Sequence, residues 1–312
     1  MDVMALHRLM EMALGVPDPS ALDSFYEEIG FIGDKGSWGS ETYAQQITLS
    51  EASYRQLKSL KIACEDESDI ATAMTRLDGL GVAYQHTNGQ LVVPDPVNKW
   101  QYQIEPAAIS DVPAMPRRLL NTPGDRQRVG ERAQVITEVT PRTPRRLGHV
   151  VMGSPEPQKT TALCIALGFR VSDSIGGGMA TFLRCSRDHH NLLITPGPVP
   201  YLNHYAMEQD DFDAVMRGAT LYLRAHGEEY QVAGPGRHQI GGNIFWYMRD
   251  PSGTFFEFYS DMDNIADDEK WVVKEDWDLS DAWSIWGEKD QPELFFKVPD
   301  MESIIAGWNK SQ

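Results

Sequence analysis

The sequence predicts an α+β protein of two domains, each a pair of βαβββ units curling into an open, barrel-like sheet. Three observations carry this. The length of 312 residues suits about two domains. A gapless repeat links the two halves at a constant offset of 138, from 9 to 147 and from 31 to 169. A shorter repeat divides the C-terminal half again.

The long repeat sets Leu9-Met-Glu-Met-Ala-Leu-Gly-Val-Pro-Asp-Pro19 against Leu147-Gly-His-Val-Val-Met-Gly-Ser-Pro-Glu-Pro157. Both begin with Leu, carry Gly at the seventh position and end Pro-acid-Pro. Each leads into a helical stretch closed by Gly-Phe, at Gly30-Phe31 and Gly168-Phe169. The short repeat sets Leu147-Gly-His149-Val-Val-Met152 against Leu202-Asn-His204-Tyr-Ala-Met207. Each reads as a strand entering a helix, over about 158–167 and about 211–225, the second stopped at Gly227. Short strands follow, at 169–174, 179–185 and 190–195, then at 229–233, 244–249 and 254–260. Gly176-Gly-Gly178 and Asp250-Pro-Ser-Gly253 are turn chemistry between them. By the repeat, the N-terminal half reads the same way and ends in a strand at 100–105.

The expected organisation is an N-terminal non-catalytic domain over 1–112, a linker over 113–146, a C-terminal catalytic domain over 147–262 and a tail over 263–312. The linker is rich in Pro and Arg, with a helical patch expected near 130–135. The tail carries Trp271, Trp277, Trp283, Trp286 and Trp308, enough large apolar rings to pack back on the body or to build an oligomer contact.

Composition narrows the function. Hydrophobic residues at 41% and charged residues at 23% are ordinary for a globular chain with real cores. A net charge of -17 opposes phosphate binding, and so a general nucleic-acid or anionic-membrane role. Cys64, Cys164 and Cys185 are odd in number and in no CxxC pattern, as expected of idle thiols in a reducing compartment. The opening MDVMALHRLM lacks a signal-peptide pattern, and no apolar run reaches a membrane span. The expected location is cytoplasmic.

Paired units place equivalent positions face to face across a cleft. His149 and His204 are such equivalents, each third in its opening strand. Glu257 lies in the apolar strand Thr254-Phe-Phe-Glu-Phe-Tyr259, where alternation puts Phe255, Glu257 and Tyr259 on one face. A lone carboxylate among aromatic rings is costly to bury, and a metal cation removes that cost. Taken singly, a strand histidine is more often structural, and the glutamate could pair with Arg184 or Arg249. The N-terminal copy argues for a metal: Glu11, Ile62 and Tyr102 stand at the matching places, so the fold does not need the three. Two imidazoles and one carboxylate leave three neighbouring positions open on an octahedral ion, the usual arrangement for non-haem Fe(II) oxygen chemistry.

These residues resemble the type I extradiol dioxygenases of the vicinal oxygen chelate superfamily, whose glyoxalase/bleomycin-resistance-like domains have this paired βαβββ layout. The densest match is Gly234-Pro-Gly-Arg-His238, then Tyr247, then Asp250-Pro-Ser-Gly-Thr-Phe-Phe-Glu257-Phe-Tyr259, with Leu147-Gly-His149 and Asp188-His-His190 also fitting. The resemblance implies a ring-cleaving enzyme that uses Fe(II), or Mn(II), and O2 to open a substituted catechol beside its vicinal hydroxyls, in aromatic-compound catabolism.

It also implies roles. His149, His204 and Glu257 are the expected metal ligands, His190 the acid/base near the O2 site, and His238 and Tyr247 the groups that hydrogen-bond the catechol oxygens. Neighbours on a strand face opposite ways, so only one of His189 and His190 is expected to face the metal, and the family pattern favours His190. Phe182, Phe245, Trp246 and Trp283 are expected to wall an apolar substrate pocket, and the protein is expected to form a homo-oligomer. Two alternatives stay open: another metal-dependent enzyme of the superfamily, an isomerase or hydrolase, and a metal-free binding protein for aromatic compounds.

Overall fold

The structure is a computed structural model and describes residues 6–109, 112–114, 118–136 and 142–312. The N-terminal half contains two units. The first is β1 (Leu6–Val16), α1 (Pro19–Glu28), β2 (Ile32–Asp34), β3 (Ser37–Gly39) and β4 (Ile47–Glu51). The second is β5 (Gln56–Cys64), α2 (Glu67–Leu80), β6 (Gln85–Thr87), β7 (Gln90–Pro94) and β8 (Gln101–Pro106). Their strands form one sheet in the order β2-β3-β4-β1-β5-β8-β7-β6. The opening strands β1 and β5 meet antiparallel at the centre, and each pairs parallel with the last strand of its own unit.

A small hairpin, β9 (Asn121–Thr122) and β10 (Asp125–Arg126), stands between the halves. The helical patch expected at 130–135 is irregular chain instead. Gly130 takes φ +75 there, and the segment has no apolar stripe to bury.

The C-terminal half repeats the plan. One unit is β11 (Arg146–Ser154), α3 (Pro157–Leu167), β12 (Arg170–Ile175), β13 (Ala180–Arg184) and β14 (Leu192–Pro196). The other is β15 (Tyr201–Glu208), α4 (Phe212–His226), β16 (Gln231–His238), β17 (Ile244–Arg249) and β18 (Phe255–Ser260). The tail adds β19 (Lys274–Trp277), β20 (Ser284–Trp286), α5 (Glu293–Phe296) and α6 (Met301–Ser311). The sheet order is β19-β12-β13-β14-β11-β15-β18-β17-β16-β20, so the tail supplies both edge strands.

Local chemistry explains the helix limits. Asp18 accepts from the backbone N–H groups of Ser20 and Ala21 ahead of Pro19 at the start of α1. Asp211 caps α4 through Ala214 N at 2.8 Å, and Gly168 closes α3 at φ +111. The main core runs continuously through both halves: Met12, Tyr26, Leu60 and Tyr102 join Val150, Leu167, Tyr205 and Phe256. The three cysteines are free and buried, and burial pushes the Cys164 thiol up to about 12.

The tail is built into the body. Arg55 pairs with Asp300 at 2.5 Å, joining α6 to the N-terminal half, and Trp308 packs in the cluster that holds Tyr54. Among the described residues, no helix is long and apolar enough to cross a membrane.

The sheet register revises two equivalences drawn from the repeat. Val151 lies opposite His204 as Ala13 lies opposite Ser59, so Ser59, not Ile62, matches His204. Ala206 lies opposite Glu257 as Lys61 lies opposite Gln103, so Gln103, not Tyr102, matches Glu257. Glu11 does match His149, and it pairs with Lys61 at 3.5 Å. An internal ion pair in the N-terminal half thus occupies the place of the C-terminal triad.

Candidate active site

Register brings the three candidate ligands together. His149 on β11 lies opposite Ala206 on β15, which lies opposite Glu257 on β18. His204 is two residues before Ala206 and so shares its face. The small Ala206 side chain between them leaves room for the larger groups to converge. His149 Nε2 is 2.9 Å and His204 Nε2 3.6 Å from Glu257 Oε2. One ligand atom from each of the three lies within 4.8 Å of the others.

Glu257 is fully buried, and its ion-pair partners among the described residues are the two imidazoles alone. Its other oxygen, Oε1, accepts from Asn243 Nδ2 at 2.9 Å. Arg184 and Arg249 are engaged elsewhere, with Asp268 and with the Glu229 carbonyl. A buried carboxylate is costly without a compensating charge, and a divalent cation held between Glu257 and the two imidazoles supplies it. The donor set of two nitrogens and one carboxylate fits such an ion.

Surrounding groups orient the ligands. His204 Nδ1 donates to Asn203 Oδ1 at 2.9 Å, which leaves Nε2 free as a donor to metal. Asn203 is in turn held through Nδ2 by the Phe295 carbonyl at 3.0 Å. The His149 ring packs on Tyr259 and His190, with centroids 5.1 and 4.4 Å away. Gly148 makes that packing possible, since a Cβ there would stand 1.8 Å from the Tyr259 hydroxyl.

Above the triad opens a cavity of about 350 Å³. His149, His190, His204, His238 and Tyr247 line its polar end. Phe182, Ile240, Leu279, Trp283 and Phe295 are among its apolar walls, and among the described residues no Arg or Lys lines it. His238 Nε2 lies 2.8 Å from the Tyr247 hydroxyl, and His238 Nδ1 lies 2.9 Å from the Trp283 carbonyl. Burial, then neighbouring imidazoles, hold His190 and His204 well below the ordinary imidazole value. Burial also lowers His238, against the opposing pull of Glu257. Burial and then Glu257 raise Tyr247 well above a free phenol. His190, His204 and His238 are therefore neutral near pH 7 and the Tyr247 phenol is protonated.

Six sequence candidates meet here: His149, His204, Glu257, His190, His238 and Tyr247. Phe182 and Trp283 wall the cavity as expected, but Phe245 and Trp246 do not line it. Phe245 is fully buried behind His238, the rings stacked with centroids 4.0 Å apart. Trp246 points to the other face of β17 and packs against the main core. His189 and His190 lie in the loop between β13 and β14 rather than on a strand. His190 lines the cavity and His189 stands behind it, fully buried. Asn203, Asn243 and Ala206 went unnoticed in the sequence. The position of Asn203 directly before His204 was the one available signal.

A pair of βαβββ units holding two histidines and a glutamate in its cup defines a metal-dependent enzyme of the vicinal oxygen chelate fold. The chain is 29% identical over 306 residues to metapyrocatechase 2 of Cupriavidus necator, covering 94% of this chain and 92% of that one. It is also 29% identical over 126 residues to a manganese-dependent 2,3-dihydroxybiphenyl 1,2-dioxygenase of Geobacillus genomosp. 3, covering 38% and 40% of the two chains. Among solved structures, homoprotocatechuate 2,3-dioxygenase of Arthrobacter globiformis superposes with a TM-score of 0.72 at 18% identity, covering 95% of this chain and 92% of that one. The Mn(II)-bound glyoxalase of Novosphingobium aromaticivorans gives 0.69 at 22% identity, covering 94% of each. No family model matches. The chain has the vicinal oxygen chelate fold, and its likeness to metapyrocatechase 2 runs over nearly its whole length.

Proposed function

We propose that this enzyme uses Fe(II) and O2 to open the ring of a neutral catechol with an apolar substituent, next to its vicinal hydroxyls. The observation that carries the proposal is the buried His149, His204 and Glu257 set at the foot of a largely apolar cavity, with His190, His238 and Tyr247 beside it. When bound, the metal supplies Lewis acidity toward the diol oxygens and electron transfer toward O2. Mn(II) suits the same ligands, and two of the similar proteins are described with manganese.

The remaining residues supply proton handling and shape. The neutral His190 and His238 can accept protons from catechol hydroxyls. In the free enzyme the Tyr247 hydroxyl donates to His238 Nε2 at 2.8 Å; turned to a bound substrate oxygen instead, it frees His238 Nε2 to accept. Phe182 and Trp283 exclude water and hold the ring by apolar contact. With no Arg or Lys among the described residues of its walls, the cavity leaves the carboxylate of a ring substituent unpaired, which favours alkyl or aryl substituents. The cytoplasmic location and the homo-oligomer expected from the sequence complete the proposal.

The test is oxygen uptake by anaerobically purified protein loaded with Fe(II) or Mn(II). Catechol, 3-methylcatechol and 2,3-dihydroxybiphenyl are added in turn while the visible spectrum is recorded. Uptake with a yellow ring-opened product is expected, faster with the substituted rings. A fully metallated protein that consumes no O2 with any of them sinks the proposal.

A further inference from the structure

Behind His190, on the side away from the metal ligands, stand two buried polar residues that ring cleavage as described above does not use. His189 Nδ1 lies 3.0 Å from His190 Nδ1, and His189 Nε2 lies 3.2 Å from Asp173 Oδ2. The other carboxylate oxygen, Asp173 Oδ1, accepts the backbone N–H of Lys274 at 2.8 Å. His189 is 0% and Asp173 4% exposed. Phe182 and Trp271 flank the His189 ring, with centroids 5.6 and 5.4 Å away. The contact is closed from a further side by Gly241, where a Cβ would stand 3.1 Å from His189 Nδ1 and 3.3 Å from His190 Nδ1.

The direction of these hydrogen bonds follows from what each group can do. A carboxylate only accepts, so His189 Nε2 carries its proton toward Asp173. In the neutral ring, His189 Nδ1 is then a lone pair and accepts from Nδ1–H of His190. That leaves His190 Nε2, with its own lone pair, as the nitrogen available to the cavity. We propose that Asp173 and His189 are positioning residues that fix His190 in the tautomer whose proton-accepting nitrogen faces the reacting diol. The inference rests on the ring-cleavage reading for the identity of that diol, and on hydrogen-bond geometry alone for the tautomer.

The discriminating variant is Asp173→Asn. Lys274 N–H still requires an acceptor at the Oδ1 position, so the amide nitrogen must take the place of Oδ2. It then donates to His189 Nε2, His189 donates through Nδ1, and His190 must accept there and present Nε2–H to the cavity. The metal ligands are untouched.

Two readouts decide. In zinc-loaded protein with nitrogen-labelled histidine, NMR is expected to show His190 protonated at Nδ1 in the wild type and at Nε2 in Asp173→Asn. In the Fe(II) enzyme, Asp173→Asn is expected to lower kcat by about 10- to 100-fold, with KM for 3-methylcatechol and metal content unchanged. His189→Asn, whose side-chain oxygen can replace Nδ1 as acceptor, is expected to keep more activity than His189→Phe, which has none. A wild-type His190 protonated at Nε2, or an Asp173→Asn protein with the wild-type pattern, overturns the proposal. If Asp173→Asn fails to fold, equal losses of kcat in the two His189 variants overturn it instead. A wild-type enzyme that cleaves no catechol defeats the ring-cleavage reading, while the NMR pattern decides the tautomer independently.

Discussion

The backbone carbonyl of Trp283 accepts a hydrogen bond from His238 Nδ1 at 2.9 Å, so the C-terminal tail sets the tautomer of a cavity histidine. A carbonyl cannot donate, and Nδ1 therefore holds the proton. His238 Nε2 is left to accept from the Tyr247 hydroxyl at 2.8 Å. Tyr247→Phe removes that donor without altering the ring. The expected result is a kcat lowered by about 10- to 100-fold with unchanged metal content, measured by steady-state oxygen uptake and metal analysis on the same preparation.

Metal retention is expected to follow the ligand set and then its supports. Glu257→Gln removes the one negative charge of the triad and should leave the protein without tightly bound metal after dialysis. Asn203→Ala keeps all three ligands but frees the His204 ring from its 2.9 Å partner. Affinity is expected to fall by about 10- to 100-fold, read from competition with a chelating dye. Equal metal content in Glu257→Gln and the wild type would remove Glu257 from the site.

Cavity shape is expected to set substrate preference. Trp283 and Phe182 are 6% and 8% exposed and both line the apolar wall. Trp283→Ala should raise KM for 3-methylcatechol, since the small substituent loses its packing surface, and should affect a bulkier aryl catechol less. A ring bearing a carboxylate is expected to bind worst of all in the wild type. A competition series against 3-methylcatechol measures each of these.

Acid should destabilise the metal-free protein through the cavity histidines. Burial holds His190, His204 and His238 below their ordinary value of 6.5. Their folded values are lower than their unfolded ones, so over the intervening range the unfolded chain binds more protons. Stability is full above about pH 6.5 and is lost as pH falls, by up to about 1.4 kcal/mol per pH unit for each such proton. Urea unfolding of metal-free protein between about pH 8 and pH 5 measures this slope. His238→Phe, which cannot titrate, is expected to flatten it.

The fold was legible because its punctuation is local. The Pro-acid-Pro openings and the Gly168 and Gly227 helix ends mark the units without knowledge of tertiary contacts. The triad was legible because Leu-x-His recurs in paired strands. The N-terminal equivalents were not, because the halves differ in length between their opening strands: His204 follows its partner Val151 by 53 residues (204 - 151), Ser59 follows Ala13 by 46 (59 - 13). A constant offset taken from the first unit of each half therefore fails in the second. Phe245 and Trp246 lie in the run Ile244-Phe-Trp-Tyr-Met248, which is apolar throughout and gives no alternation to separate its faces. Asp173 was invisible because its link to His189 joins β12 to a loop beyond β13, a contact no spacing rule encodes.

The most direct test of ring cleavage is the fate of the oxygen atoms. Fe(II)-loaded enzyme is given 3-methylcatechol under heavy-isotope O2, and the product is reduced at once to prevent carbonyl exchange, then weighed by mass spectrometry. Both heavy atoms are expected in one ring-opened product, with one O2 consumed per catechol and no hydrogen peroxide released. A product with the ring intact, or with no label from O2, would contradict extradiol cleavage.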